Sequence, residues 1–256
     1  MKNIIITGAA QGIGYYMVKQ LLLDGYQVAV LDINIDPLQD LAQQFPALLP
    51  IKCDVRSFDQ VNNAVQKCAD AFGSIDCAIH NACLCTFDSM ENTPVEVYRD
   101  VFDVNYFGAL YLSRAVIPLM RSKNSGKVIF TSSGVGIMGF VNISPYASSK
   151  GAIESLAKCL NNEYRNDGIH FHLFHPPLTR TKSAEPLPVP KEFKADPEKV
   201  GIGLAKNINK KSFIICHSFG QKLQTMICYL IPVKMGELMS KMTEGYAKSE
   251  NPTEKK

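Results

Sequence analysis

Tyr146 and Lys150 stand four residues apart, a phenol and an ammonium on one face of any helix that contains them. An isolated phenol titrates near 10, about three units too high for a base at neutral pH, and a fixed cation nearby stabilises the phenolate. Such a pair can move a proton on or off an alcohol oxygen. Spacing alone selects nothing. With ten Tyr in the chain, about one Y-x-x-x-K is expected by chance, and Tyr15 with Lys19 is a second copy. Context favours Tyr146. Ser132 and Ser133 end a strand-type run, and Tyr146 opens the next helical segment, so hydroxyls and phenol can meet at one sheet edge. Asn105, between Val104 and Tyr106, taken alone reads as a helix-surface amide.

A second group of residues suits phosphate. Thr7-Gly8-Ala9-Ala10-Gln11-Gly12-Ile13-Gly14 joins an apolar run to a helical segment. Gly8, Gly12 and Gly14 allow a tight turn and close backbone approach, and the helix start offers free N–H groups and a positive dipole end to a pyrophosphate. The spacing is G-x-x-x-G-x-G. Asp32 ends the second strand-type run, where a carboxylate accepts ribose hydroxyls and repels a 2′-phosphate. Gln11, Ile33 and Asn34, the positions suited to hold such a phosphate, are not basic. NAD is therefore expected over NADP.

These groups need a scaffold that brings loop ends together. Strand-type runs are Asn3–Thr7, Gln27–Asp32, Leu48–Cys53, Asp76–His80, Lys127–Ser132, Ile169–His175 and Ser212–Cys216. Their continuous β-branched cores imply burial on both faces. Helical segments at Ile13–Asp24, Leu38–Phe45, Ser57–Phe72, Val95–Met120, Tyr146–Arg165 and Pro197–Asn209 alternate with them. The pattern predicts an α/β fold, a Rossmann-like doubly wound sheet of about seven parallel strands with helices on both faces. One domain spans 1–216, with a proline-rich substrate flap at about 178–195 (Pro186, Pro188, Pro190). An amphipathic extension follows at 217–256, its stripe made of Leu223, Met226, Ile227, Leu230 and Ile231, then Met235, Leu238, Met239 and Met242. The stripe reads as one more covering helix or as an apolar lid over the pocket. Membrane contact through Lys222, Lys234 and Lys241 is less favoured, and the polar last ten or so residues are expected to fray.

Composition removes other classes. A net charge of +3 without a basic, aromatic-laced stripe excludes a nucleic-acid partner. Eight Cys without any C-x-x-C read as packed free thiols, and no metal is expected. His170, His172 and His175 read as alternating along one face of the sixth strand, without a carboxylate or thiol to complete a metal set. No signal peptide precedes the first strand, which makes the cytoplasm the expected location.

Taken together, these motifs resemble the short-chain dehydrogenase/reductase family in its compact form. The family's glycine motif falls on Thr7, Gly8, Gly12, Ile13 and Gly14, and its Asn–Ser–Tyr–Lys tetrad on Asn105, Ser133, Tyr146 and Lys150. Asp54 and Val55 match its adenine-flanking pair, and Asn81 and Ala82 its Asn-Ala after the fourth strand. Pro176, Thr179 and Thr181 match the segment that contacts the carboxamide and phosphate. The resemblance implies a hydride-transferring oxidoreductase that interconverts a secondary alcohol and a ketone. Tyr146 would be the base and Lys150 would depress its pKa and hold the ribose. Ser133 would bind the substrate oxygen, and Asn105 would anchor a relaying water. It also implies a homodimer or homotetramer through the long helices, where Phe102, Tyr106, Leu110 and Arg114 share a stripe. Two departures stand out. Cys83 replaces a glycine of the Asn-Asn-Ala-Gly motif, and Pro177 replaces the glycine of Pro-Gly. They leave open a non-catalytic dinucleotide-binding protein on the same fold. Leu84–Met90, Gly134–Ile143 and Leu178–Phe193 should line the pocket. Their mostly apolar character, with the tail, points to an apolar, lipid-, steroid- or retinoid-like substrate.

Overall fold

The computed structural model describes residues 2–185 and 187–250, with side chains through Tyr246. Pro186 of the flap and most of the polar end read as frayed lie outside the described residues. Seven strands, β1 (Asn3–Thr7), β2 (Gln27–Asp32), β3 (Leu48–Lys52), β4 (Cys77–His80), β5 (Gly126–Thr131), β6 (Ile169–Phe174) and β7 (Ile214–Ile215), form one sheet. Their order is β3-β2-β1-β4-β5-β6-β7 and every pairing is parallel. The helices are α1 (Gly12–Leu23), α2 (Gln39–Gln44), α3 (Phe58–Phe72), α4 (Val95–Phe102), α5 (Gly108–Ser122), α6 (Val135–Met138), α7 (Ser144–Glu163), α8 (Pro197–Lys206), α9 (Phe219–Leu230) and α10 (Pro232–Glu250).

This is the doubly wound sheet that the continuous apolar runs predict. Ile4, Ile5 and Ile6 are wholly buried because helices cover both faces, and each contributes roughly 1.5–3 kcal/mol on burial. One apolar layer gathers Ile5, Val65, Leu112, Phe130 and Ile153 beneath α3, α5 and α7. The other gathers Ile6, Met17, Val30 and Leu204 beneath α1 and α8. Pro50 is tolerated in β3 because that strand is a sheet edge. The register aligns Thr7 with His80 and Thr131 with Phe174, so the catalytic candidates leave the sheet along one carboxyl edge.

Three expectations change. The single helix read over Val95–Met120 is α4 and α5 joined by a π-helical turn, Asp103–Phe107. Apolar spacing is kept on both sides of the turn, so the extra residue leaves no mark in the pattern. His175 lies beyond β6 and three residues from His172, which puts it on the opposite face from His170 and His172. His172 Nδ1 instead meets the Ser212 carbonyl at 2.8 Å. The tail stripe is not a cover for the sheet either. Leu223, Met226, Ile227 and Leu230 face solvent, while α9 buries Gln221, Thr225 and Cys228. Further along, α10 packs on α6, where the Val141 N–H donates to Ser240 Oγ at 3.2 Å. Among the described residues no helix is long and apolar enough to cross a membrane.

The flap is a closed loop. A parallel bridge pairs Thr179 with Ala195 at its base, and Lys194 Nζ donates to the carbonyls of Ala184 (2.7 Å) and Leu187 (3.1 Å). Ala184, Leu187 and Val189 bury against Ile143, Phe140 and Tyr146, forming a small apolar cluster separate from the two sheet layers.

Candidate active site

A cavity of about 1250 Å³ runs along the carboxyl ends of the strands, where doubly wound sheets bind ligands. Every candidate residue reaches its wall except Thr7, Gly14 and Asn105.

At one end lies the glycine turn. Gly8 has φ +63, and a Cβ on it would overlap the Ala82 backbone. Gly14 permits α1 to pass Ala9 and Asn81, since its Cβ would meet Ala9 Cα at 2.7 Å and Asn81 Nδ2 at 2.8 Å. Asn81 ties three strands together: Nδ2 donates to Gly8 O (2.7 Å), Oδ1 accepts from Thr131 Oγ1 (3.3 Å), and its N–H donates to Thr7 Oγ1 (3.1 Å). Thr7 Oγ1 also accepts from Ala82 N, so its proton goes to His80 Nδ1 at 3.0 Å. Burial, then the Lys150 charge, lowers His80 to about 3, and the ring stays neutral as a strut under the loop. The start of α1 has no side-chain cap and no acidic residue in its first turn. Its free N–H groups therefore face the cavity beside Gln11 and Gly12, and the cradle fits the pyrophosphate of a dinucleotide.

Asp32 closes this end. Oδ2 accepts from Ala10 N at 3.0 Å and Oδ1 from Asn34 N at 3.2 Å, which aims the carboxylate at the cavity with lone pairs to spare. A basic side chain does reach this end of the cavity, from outside the positions that flank Asp32 in sequence. Arg56, four residues past β3, also lines the cavity. It is held by Asp54, with Nη2 to Oδ2 at 2.7 Å, and its bonds hold the Asp54 carboxyl below the usual range. Val55 is buried beside them. Thr181 lies over Gly12, and Thr179 Oγ1 donates to Pro177 O at 2.7 Å, so the prolines form a turn wall beside Pro176.

At the other end, Lys150 is buried and Nζ donates to Thr131 O at 2.7 Å. It lies 5.5 Å from the Tyr146 ring centre. Tyr146 is half-buried and lines the cavity with Ser133 and Cys83. Burial pushes the phenol well above its ordinary value, Cys83 and Cys85 push the same way, and Ser133 opposes them. The ammonium lies over the ring and serves the Thr131 carbonyl. Asn105 is reassigned in part. Its Nδ2 donates to Leu84 O (3.0 Å) and Ser149 Oγ (2.9 Å), and Oδ1 accepts from Leu84 N (2.8 Å). Both amide hydrogens are engaged, so the side chain braces the π-turn against the Leu84 loop and α7, and water anchoring cannot rest on its N–H groups.

Behind Lys150 is a polar network that no motif announced. Glu154, one turn further along α7, accepts from Ser132 Oγ (2.8 Å) and Tyr229 OH (2.7 Å), and His175 Nε2 lies 3.2 Å away. Burial alone would raise the Glu154 carboxyl, but His175, Tyr229 and Ser132 together hold it below its ordinary value. The only available clue was the i+4 spacing from Lys150 to Glu154, and its partners come from β5, the end of β6 and α9.

Residues 2–191 match the family model described as short chain dehydrogenase. Oxidoreductase UcpA of Salmonella typhimurium is 32% identical over 212 residues, covering 81% of this chain and 80% of the relative. The 3-ketodihydrosphingosine reductase of Bos taurus is 26% identical over 251 residues, covering 90% and 76%. A short-chain dehydrogenase crystal structure from Streptomyces avermitilis superposes with a TM-score of 0.79 at 22% identity, covering 98% of this chain and 99% of that one. The matched span contains β1 through the flap, and with it the chain belongs to the short-chain dehydrogenase/reductase family, oxidoreductases of CH–OH groups that work with a nicotinamide dinucleotide.

Proposed function

We propose that this protein interconverts an apolar ketone and its secondary alcohol, preferring NAD(H), through Ser133, Tyr146 and Lys150. The observation that carries the reading is that the Ser133 and Tyr146 side chains share the wall of the cavity that begins at the glycine turn, with the buried Lys150 ammonium over the phenol ring. A bound nicotinamide would supply or accept the hydride. Ser133 and Tyr146 hold the substrate oxygen between two hydroxyls. Tyr146, kept protonated by burial, gives its proton to the oxygen as reduction proceeds and takes it back in oxidation. Lys150 holds the ribose end and keeps a positive charge behind the ring. Glu154 fixes Ser132 and so the turn that aims Ser133.

Cofactor preference rests on Asp32, whose carboxylate repels a 2′-phosphate. The charge of Arg56 is engaged by Asp54. Apolarity of the substrate rests on Ile143, Phe140, Leu178 and Leu187 at the catalytic end of the cavity. The relative named 3-ketodihydrosphingosine reductase supports a keto substrate with a long apolar part. Assembly into at least a dimer is proposed through α4 and the π-turn, where Val95, Tyr98, Phe102 and Phe107 line a shallow groove.

The Cys83 thiol on the cavity wall, which acts with burial to raise the phenol, favours the other reading, a dinucleotide-binding protein without turnover. One assay separates them: ketones and secondary alcohols of rising chain length, each with NADH or NADPH and their oxidised forms. Turnover rising with chain length, and NAD(H) favoured by at least ~10-fold (~1.4 kcal/mol), is the expected result. Tight NADH binding without turnover of any substrate, unchanged in Cys83→Gly, supports the non-catalytic protein.

A further inference from the structure

The amphipathic helix α9 is oriented against the usual rule. It buries Gln221 and Thr225 with Cys228 and exposes most of its large apolar side chains. Inward, Gln221 and Thr225 are buried, Thr225 contacts Cys216 Sγ at 3.8 Å, and Tyr229 donates to the buried Glu154. Outward, Phe219 (82% exposed), Leu223 (53%), Met226 (52%) and Leu230 (77%) form a ridge at i, i+4, i+7 and i+11, continued by Val233 (70%) at the start of α10. Rotating the ridge inward would strip Glu154 of Tyr229 and leave a buried carboxylate short of a partner, so the orientation is locked. A continuous exposed ridge of this kind marks an interaction surface.

Charge selects the occupant. From Lys199 to Gly236 the chain carries six lysines, all exposed, and no Asp or Glu. Lys222 lies on the α9 surface between Phe219 and Leu223, and Lys234 follows Val233. Lys206 ends α8 and Lys210 and Lys211 follow it, and the first carboxylate of α10 is Glu237, one turn past Val233. An apolar ridge flanked by cations without anions complements an anionic lipid surface. A self-complementary contact between two copies would bring Lys222 and Lys234 of each toward the other's without a carboxylate on the ridge to answer them.

We infer that α9 and the start of α10 dock this protein on an anionic lipid surface. The same helix carries Gln224 and Thr225 on the cavity wall, and α10 adds Met239. The flap at the rim presents Lys182, Glu185 and Lys191 to the cavity, with exposed Phe193 beside them. Docking therefore sets the cavity beside the lipid. The advantage this gives, delivery of an apolar substrate without passage through water, rests on the proposed function, whereas the docking surface does not.

Flotation of the full chain with phosphatidylglycerol vesicles tests it directly. The protein should float with these vesicles, at least tenfold less with phosphatidylcholine vesicles, and less as salt rises. The double variant Met226→Glu/Leu230→Glu should lose flotation by at least tenfold with Tm and NADH affinity unchanged, and Lys222→Glu/Lys234→Glu should lose the preference for anionic lipid. A wild-type chain that stays in the soluble fraction, or a Met226→Glu/Leu230→Glu variant that floats equally well, overturns the inference. So does light scattering in which this variant turns a lipid-indifferent dimer into a monomer, which would make a second copy the occupant. Flotation without any turnover would remove the proposed function and leave docking standing.

Discussion

Two helices of this protein carry a tyrosine four residues before a lysine, and the two pairs meet different surroundings. In α1, Tyr15 packs at the edge of the apolar layer under α8 and Lys19 is exposed to solvent. In α7, Lys150 is buried with its ammonium on the Thr131 carbonyl, and Tyr146 opens onto the cavity with Ser133 and Cys83. Identical spacing yields a pair turned away from the cavity in one place and a pair on its wall in the other. What differs is the helix face: both helices start at the carboxyl edge of the sheet, but Tyr15 turns into the layer shared with α8, whereas Tyr146 turns onto the cavity.

Removing the phenol should show the contrast at its largest. Tyr146→Phe is expected to lower kcat by about 10³-fold, the scale of a lost proton donor, with NADH affinity nearly unchanged. Steady-state kinetics and calorimetry on one preparation check both. Lys150→Met should lower kcat by roughly 10²-fold and weaken NADH binding as well, because it is assigned two roles. The pH response sharpens the comparison without mutation. A phenol raised by burial is protonated throughout the neutral range. Reduction should therefore be flat from neutral pH into the alkaline range, while oxidation, which needs the deprotonated phenol, should climb with pH. An oxidation rate that plateaus near pH 7 would show the phenol to be depressed instead.

Glu154 gives a smaller effect of another kind. Its carboxyl is held below the ordinary value, so the stability it contributes is complete above that value and is lost as pH falls through the lower, folded one. Tyr229→Phe leaves the carboxylate with one hydrogen bond fewer, expected to cost about 1.5–3 kcal/mol, a fall in Tm of several degrees, with the difference from wild type shrinking at acid pH. Smallest of all, Tyr15→Phe should leave kcat within a few-fold.

The scaffold was readable because it rests on local signals. β-Branched runs buried on both faces, glycines at a strand-to-helix turn, and a carboxylate ending β2 are each visible in a short window. The tetrad was readable only by resemblance, since spacing produced Tyr15 and Lys19 just as readily. What stayed hidden depends on distant partners. Asn105 is a brace because Leu84 and Ser149 come to it, and Arg56 reaches the cavity because of where β3 ends. The apolar stripe of α9 was visible in the sequence, but its direction was not, because Tyr229 and Glu154 are 75 residues apart.

The pinned base of the flap has a consequence for how such enzymes diverge. Thr179 and Ala195 are bridged whatever lies between them, and Pro197 begins α8 immediately afterwards. Residues 182–194 can therefore change length or character at a loop-closure cost that grows only logarithmically, leaving Thr181 over Gly12 and the packing of α8 on α1 undisturbed. A loop transplanted between relatives within those bounds should carry its substrate preference with it, which makes the segment a unit of inheritance separable from the chemistry beneath it.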